Sequence, residues 1–202
     1  MEASRTAVIL LGYQNDFFAT HGNLTHIFHE NNSIEKVSAN THDLISALYK
    51  HPIVLMSTPY EFSEGQVELS NAKGFMKTIK NNHAFIIDSE GYNAPPFIAE
   101  FGQRIIPLPG RKSLNAFSYT ELDAILKSRG IRNTVFVGAM AASCVDTTAR
   151  AANELGFNST ILSDCTLSRT VFEHNFLCKD IFPLYADVMT KDEFLQELQI
   201  AA

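Results

Sequence analysis

The sequence predicts an α/β fold: a single-domain, three-layer α/β/α arrangement around a mainly parallel, Rossmann-like sheet. Three observations carry that expectation. Short apolar runs alternate with helix-patterned segments, the signature of a parallel sheet with helices on both faces. The first run, Thr6 to Gly12, is apolar throughout, as a strand buried on both faces requires. No repeat, low-complexity stretch or linker divides the 202 residues, enough for one sizeable core. Residues 1–202 therefore read as one domain.

The elements follow in order. After the first strand, Ser33 to Tyr49 has apolar residues at helical spacing (Ile34, Val37, Leu44, Ile45, Leu48), with Ser33 as N-cap. Ile53 to Met56 is a second strand, ended by Thr58-Pro59. Residues 60 to 103 are the least regular part. They hold a helix from Val67 to Ile79 broken near Gly74, a short apolar run Phe85-Ile86-Ile87, and a turn at Ala94-Pro95-Pro96 leading to a short helix ending at Gly102. Such stretches supply substrate contacts in many α/β enzymes and are surface elaboration in others. Arg104 to Ile106 is a strand. Tyr119 to Arg129 is a helix with Leu122, Ile125 and Leu126 on one face and Gly130 as its stop. Thr134 to Val137, Ser159 to Leu162 and Tyr185 to Met189 are strands. Val145 to Leu155, Thr170 to Phe182 and Lys191 to Leu198 are helices, the last capped by Thr190 with Glu193 three residues on.

Composition narrows the function classes. A net charge of −6 with no basic stripe argues against a nucleic-acid partner. No apolar run has the length of a membrane span. The N-terminal stretch Ala7 to Leu11 lacks a cleavage-site continuation, so no signal peptide is expected. Three cysteines (Cys144, Cys165, Cys178) form no even framework, which points to a reducing, cytoplasmic compartment. A dinucleotide fingerprint, P-loop, H-E-x-x-H and serine-hydrolase elbow are absent, and the scattered histidines build no metal site. Neither a cofactor nor a metal is expected, and the partner is a small-molecule substrate.

Gly138-Ala139-Met140-Ala141-Ala142-Ser143-Cys144 joins an apolar run to a helix-patterned one. Ligands of open α/β sheets bind outside the strands' carboxyl ends. A helix N-terminus offers N–H groups and partial positive charge to a thiolate. Cys144 is therefore a candidate nucleophile for carbonyl carbon, with turn N–H groups as oxyanion donors. The basic pair Arg111-Lys112 could hold a thiolate charged and orient a substrate carbonyl, or be a solvated surface pair. Asp16, in Gln14-Asn15-Asp16 after the first strand, is a candidate base for the thiol or a turn-forming residue. Asp164 and His174 could bond the site's framework or be structural polar groups.

Three segments together resemble the isochorismatase-like cysteine hydrolases, which include nicotinamidases and N-carbamoylsarcosine amidase. They are Thr6 to Phe17 with Gln14-Asn15-Asp16-Phe17, Arg111 to Phe117 followed by Thr120-Glu121-Leu122, and Gly138 to Cys144 with Val145, Thr148, Ala149, Ala152 and Gly156. The likeness covers nearly the whole chain. It implies an Asp-Lys-Cys triad, with Cys144 as nucleophile, Lys112 in the lysine role and Arg111 binding substrate. Counting back from Ala116-Phe117 lands on Arg111, which takes the lysine position if the register is shifted. The resemblance further implies a cis peptide between Ala139 and Met140, oxyanion donors at the N–H groups of Met140 and Cys144, and a homo-oligomer.

The chain departs from the family pattern at the base: Gly12 stands where the catalytic aspartate ends the first strand, leaving Asp16 as the only stand-in. The expected activity is hydrolysis of a small amide, ureido or related substrate with a degenerate triad. The alternatives are a family member that has lost catalysis and binds a ligand or protein, and a thiol-based redox protein.

Overall fold

The computed structural model describes residues 1–29 and 32–200. One sheet contains all six strands: β1 (Thr6–Leu11), β2 (Val54–Thr58), β3 (Ile106–Pro107), β4 (Asn133–Ala139), β5 (Asn158–Leu167) and β6 (Asp187–Met189). Their order is β3-β2-β1-β4-β5-β6, with every pair parallel. This is the doubly wound order that the alternation of strand and helix patterns predicts. All six residues of β1 are buried, which is why that segment reads as unbroken hydrophobicity rather than as alternation.

Eight α-helices lie among the described residues: α1 (Asn15–Phe18), α2 (Asn32–Leu48), α3 (Gly74–Asn81), α4 (Pro96–Ala99), α5 (Leu122–Ser128), α6 (Asp146–Glu154), α7 (Val171–Phe176) and α8 (Lys191–Glu197). α2 buries Val37, Leu44, Ile45 and Leu48 and packs on β5 and α8. α8 starts in the expected capping box, with Thr190 and Glu193 each satisfying the other's backbone N–H.

The chain runs from β1 outward to β2 and β3, then crosses back to β4 and continues outward to β5 and β6. The order therefore reverses between β1 and β4, and the crevice beyond their carboxyl ends is where such sheets bind ligands. There the two backbones come unusually close. Gly138 (φ +126°) is paired with Leu11, and a Cβ on it would strike the Leu11 carbonyl.

Several boundaries differ from the sequence expectation. Ser33 is not an N-cap, because α2 already includes Asn32 and its cap position lies outside the described residues. α5 begins at Leu122 rather than Tyr119: Tyr119 has φ +61° and is fully exposed, so the preceding residues form a turn. β5 runs on to Leu167, through polar Ser163-Asp164, because it pairs with β4 a second time after a register shift at Phe136/Gly138. α7 is short. Wider π turns over Leu177–Ile181 and a 3₁₀ turn over Phe182–Leu184 follow it, and Pro183 can donate no bond to continue a helix. Arg104 precedes β3 instead of joining it. Its guanidinium donates to the carbonyls of Leu48, Tyr49, His51 and Ile53, closing the end of α2 and the approach to β2.

Gly138→Ala is expected to lower unfolding free energy by about 3 kcal/mol or more, since backbone rather than a side chain opposes the new methyl group. Urea denaturation measures this. A midpoint equal to wild type would show that β1 and β4 have room to part.

Candidate active site

β4 ends at Ala139, and the Ala139–Met140 peptide is cis, as the resemblance implies. Residues Ala141–Val145 form a single π turn, in which the Val145 and Ser143 N–H groups both reach the Met140 carbonyl, before α6 begins. Cys144 sits on this turn, fully buried. Its Sγ lies 2.7 Å from the Ala139 carbonyl oxygen, to which the thiol donates. The Met140 N–H donates to the same sulfur at 3.0 Å. This N–H was expected to face an oxyanion; here it is occupied by the Cys144 sulfur. Both bonds hold the sulfur in place, and neither can remove its proton.

The position opposite the turn belongs to Gly12. Its φ is +68°, and a Cβ there would lie 2.5 Å from the Ala139 carbonyl oxygen and 3.1 Å from the Phe17 ring. The carbonyl that accepts from the thiol is thus packed against Gly12. An aspartate at this position could not be accommodated without moving that carbonyl. Among the described residues, no carboxylate bonds the Cys144 sulfur.

The cation of the site is Arg111. It is 0% exposed and makes no ion pair among the described residues. Its Nε donates to the Ser113 carbonyl (3.0 Å), Nη1 to the Thr58 carbonyl (3.0 Å) and Nη2 to the Leu114 carbonyl (2.9 Å). Its Cζ stands 3.9 Å from the centroid of the Tyr60 ring. Cation–π contact and carbonyl dipoles offset part of the cost of burying the charge, but no anion neutralises it. The segment carrying Arg111 is tied to α6, because Thr148 Oγ1 accepts from the Ala116 N–H at 3.0 Å.

Tyr60 is the residue that sequence reasoning missed. It lies just past β2, at a strand's carboxyl end, and that position was its only signal. Gln14 fixes its backbone at both polar atoms, accepting from Tyr60 N–H at 2.7 Å and donating to its carbonyl at 2.9 Å. The hydroxyl is buried and has no hydrogen-bond partner. Its ring lies against the Arg111 guanidinium. Burial raises its pKa first; Arg111 opposes that rise, and Cys144 adds to it.

Two expected catalytic residues lie elsewhere. Lys112 is turned outward, half-exposed, with Nζ 3.1 Å from Glu68. Residues 60 and 111 form a parallel bridge, which directs Arg111 inward and its neighbour outward. Asp16 is buried, but it accepts from the N–H groups of Asn23 (3.0 Å) and Phe85 (2.5 Å), and Gly91 packs directly on its carboxylate. It fastens three loops and has no free oxygen for a thiol. Asp164 and His174 line a different cavity, of about 200 Å³. Asp164 accepts from Lys191 N–H at 2.8 Å, and His174 Nδ1 lies 3.3 Å from Ser168 Oγ. Burial, then Lys36, lowers the His174 pKa.

Over the Ala141–Val145 turn opens a cleft of about 710 Å³, walled by Met140, Ala142, Ser143, Leu114, Phe75, Ile27, His26, His29 and Arg169 among others. Cys144 is fully buried and is not one of the residues lining it. The irregular region thus does contribute to the cleft, through Gly74, Phe75 and Thr78 at the start of α3. Among the described residues, no group of three or more His, Cys, Asp or Glu side chains is arranged to hold a metal, and no helix is long and apolar enough to cross a membrane.

A family model described as the isochorismatase domain matches residues 6–193. The chain belongs to the isochorismatase family. An uncharacterized isochorismatase family protein of Escherichia coli O157:H7, YecD, is 35% identical over 88 residues, 44% of this chain and 47% of the relative. The chain thus matches about half the length of that relative. A ureidoacrylate amidohydrolase of Stutzerimonas stutzeri, RutB, is 25% identical over 177 residues, 82% of this chain and 71% of the relative. A solved cysteine hydrolase from Pseudomonas syringae pv. phaseolicola superposes with a TM-score of 0.82 at 16% identity, covering 98% of this chain and 94% of that one. The last comparison shows a shared fold.

Asp16→Ala in this isochorismatase-family chain is expected to cost about 2–4 kcal/mol of stability, since two N–H donors lose a charged acceptor. Lys112→Ala is expected to change stability by no more than about 0.5 kcal/mol, because its ion pair is exposed. Chemical denaturation of both variants checks this. An Asp16→Ala protein as stable as wild type would contradict the fastening role.

Proposed function

We propose that this chain hydrolyses a C–N bond in a small amide or ureido compound through Cys144. The observation carrying the proposal is Arg111, a buried cation with no ion pair among the described residues, set against the Tyr60 ring. Keeping such a charge out of water is costly unless an anion arrives during function. A thiolate, or the oxyanion formed when sulfur adds to a carbonyl, is that anion. Family membership and the placement of Cys144 beyond the β1–β4 switch point support the same reading.

In this reading Cys144 attacks the substrate carbonyl. Met140 N–H leaves the sulfur for the developing oxyanion and acts there with the N–H of Cys144. Arg111 supplies fixed positive charge in the position that the resemblance gives to lysine. It stays protonated and shuttles nothing. With Gly12 in place of a carboxylate base, turnover is expected to be about 10²- to 10⁴-fold slower than in a site with a general base.

The cleft suggests the substrate's charge. Arg169, His26 and His29 line it, and no lining residue is a carboxylate. Arg169 Nε is paired with Glu173 at 2.6 Å, while Phe75, Ile27 and Leu114 provide apolar walls. A small amide or ureido compound carrying a carboxylate fits these walls, and ureidoacrylate is such a molecule.

Ammonia or amine release from a panel of carboxylated and neutral amides tests the proposal. Release is expected from carboxylated members and should vanish in Cys144→Ala. Arg169→Gln is expected to raise KM about tenfold with kcat within twofold, the worth of one charged hydrogen bond. Wild-type release no greater than that of Cys144→Ala across the panel would overturn the hydrolase reading.

A further inference from the structure

The short helix α7 presents its aromatic side chains to solvent. No residue of Val171–Phe176 is buried; Phe172 is 80% exposed and Phe176 47%. Their rings lie at an interplanar angle of 4°, with centroids 6.4 Å apart. A single exposed apolar residue is ordinary. Two large rings side by side on one helix form a patch, and apolar patches mark contact sites.

The patch adjoins the cleft. Phe172 and Phe176 wall a groove of about 400 Å³ together with His29, Arg169, Thr170 and Glu173. His29 and Arg169 also line the cleft over the Ala141–Val145 turn. Groove and cleft therefore share one rim, and the His29 N–H fastens that rim by donating to the Arg169 carbonyl at 3.0 Å. A molecule held at the rim can reach into both spaces.

Charge at the rim favours an anion. Arg169 Nε donates to Glu173 Oε2 at 2.6 Å, and Thr170 Oγ1 accepts from the Glu173 N–H at 3.1 Å, so this carboxylate is held on the first turn of α7. Glu173 lines the groove and not the cleft, and it takes only the Nε of Arg169. The Nη edge of the guanidinium lies outside the pair, and that edge matches the two oxygens of a carboxylate. Apolar walls with a few placed polar groups are the make-up of a small-molecule site.

We propose that the Phe172–Phe176 groove is a subsite for an aromatic ring on the substrate, with the same molecule's carboxylate on Arg169 and its amide or ureido group in the cleft. The proposal rests on the hydrolase reading of Cys144 and narrows the substrate class to carboxylated amides or ureido compounds that bear an aryl group. Packing the ring on two phenylalanines removes apolar surface from water and adds an aromatic contact. A second copy of the chain is the rival occupant. The rim shared with the cleft favours the substrate, because a single small molecule then uses Arg169 and both rings at once.

Isothermal titration calorimetry with 3-phenylpropanoate and propanoate, acids that differ by one phenyl group, reads the subsite without turnover. The wild type is expected to bind the aryl acid about tenfold more tightly. Phe172→Ser/Phe176→Ser should bring the two acids within about twofold of each other. Urea midpoints check the fold, and Phe172→Ser alone, at the more exposed ring, should lose part of the difference. In turnover, kcat/KM for N-carbamoyl-phenylalanine should exceed that for N-carbamoyl-alanine by the same factor, and the excess should vanish in the double variant. Equal binding of the two acids by the wild type overturns the subsite, as does a preference that persists in the double variant. A wild-type dimer that sediments as a monomer in the double variant also overturns it, since a second copy would then cover the rings. Failure of the hydrolase reading looks different. Neither ureido acid would then be turned over by the wild type, while the calorimetric preference and its loss remain, and the groove stands as a binding site for aryl carboxylates.

Discussion

The site depends on how closely the carboxyl ends of β1 and β4 approach each other. Two glycines permit it. Gly138 clears the Leu11 carbonyl and Gly12 clears the Ala139 carbonyl, and any Cβ at either place would push the strands apart. Because the approach is tight, the Ala139 oxygen meets Gly12 on one side and the Cys144 thiol on the other. The same contact that sets the sulfur's position therefore leaves no room for an acid at the end of β1. An interior this dense does not adjust continuously to an added group.

A buried, unpaired cation is the second consequence. In the pattern that the chain resembles, lysine and aspartate stand near the thiol together. Here Gly12 follows β1, and the buried cation is Arg111, whose delocalised charge is easier to bury than an ammonium. Backbone carbonyls of Thr58, Ser113 and Leu114 take its donors, and the Tyr60 ring takes its face. Arginine tolerates burial without a counter-ion in a way that a buried lysine, prone to giving up its proton, would not. Gln14, from the turn after β1, holds Tyr60 in place by both of its backbone polar atoms.

Much of this was legible in the chain. Continuous apolarity in Thr6–Leu11, the Thr190–Glu193 cap and the run leading to Cys144 each carry a local physical cause, and all three appear as expected. The elements that shifted did so where neighbours distant in sequence decide the outcome. β5 is longer because β4 offers it a second stretch of pairing, and α2 ends where Arg104, from a later segment, binds its last carbonyls. Asp16 shows the limit most clearly. Its spacing after a strand fits a base as well as a turn residue, and only the approach of Asn23, Phe85 and Gly91 selects the second.

By itself, the sequence determined the parallel α/β architecture, the cysteine at a strand-to-helix turn and the glycine that follows the first strand. These follow from periodicity and residue type, which act within a few residues of chain. The tertiary structure alone decided which of Arg111 and Lys112 enters the site. Adjacent residues of an extended segment point to opposite sides, and the pairing of residue 111 with residue 60 sets which side faces in. It also brought Tyr60 against Arg111 across the 51 positions of chain that separate residues 60 and 111, a proximity that no local pattern encodes because it depends on two distant segments pairing side by side.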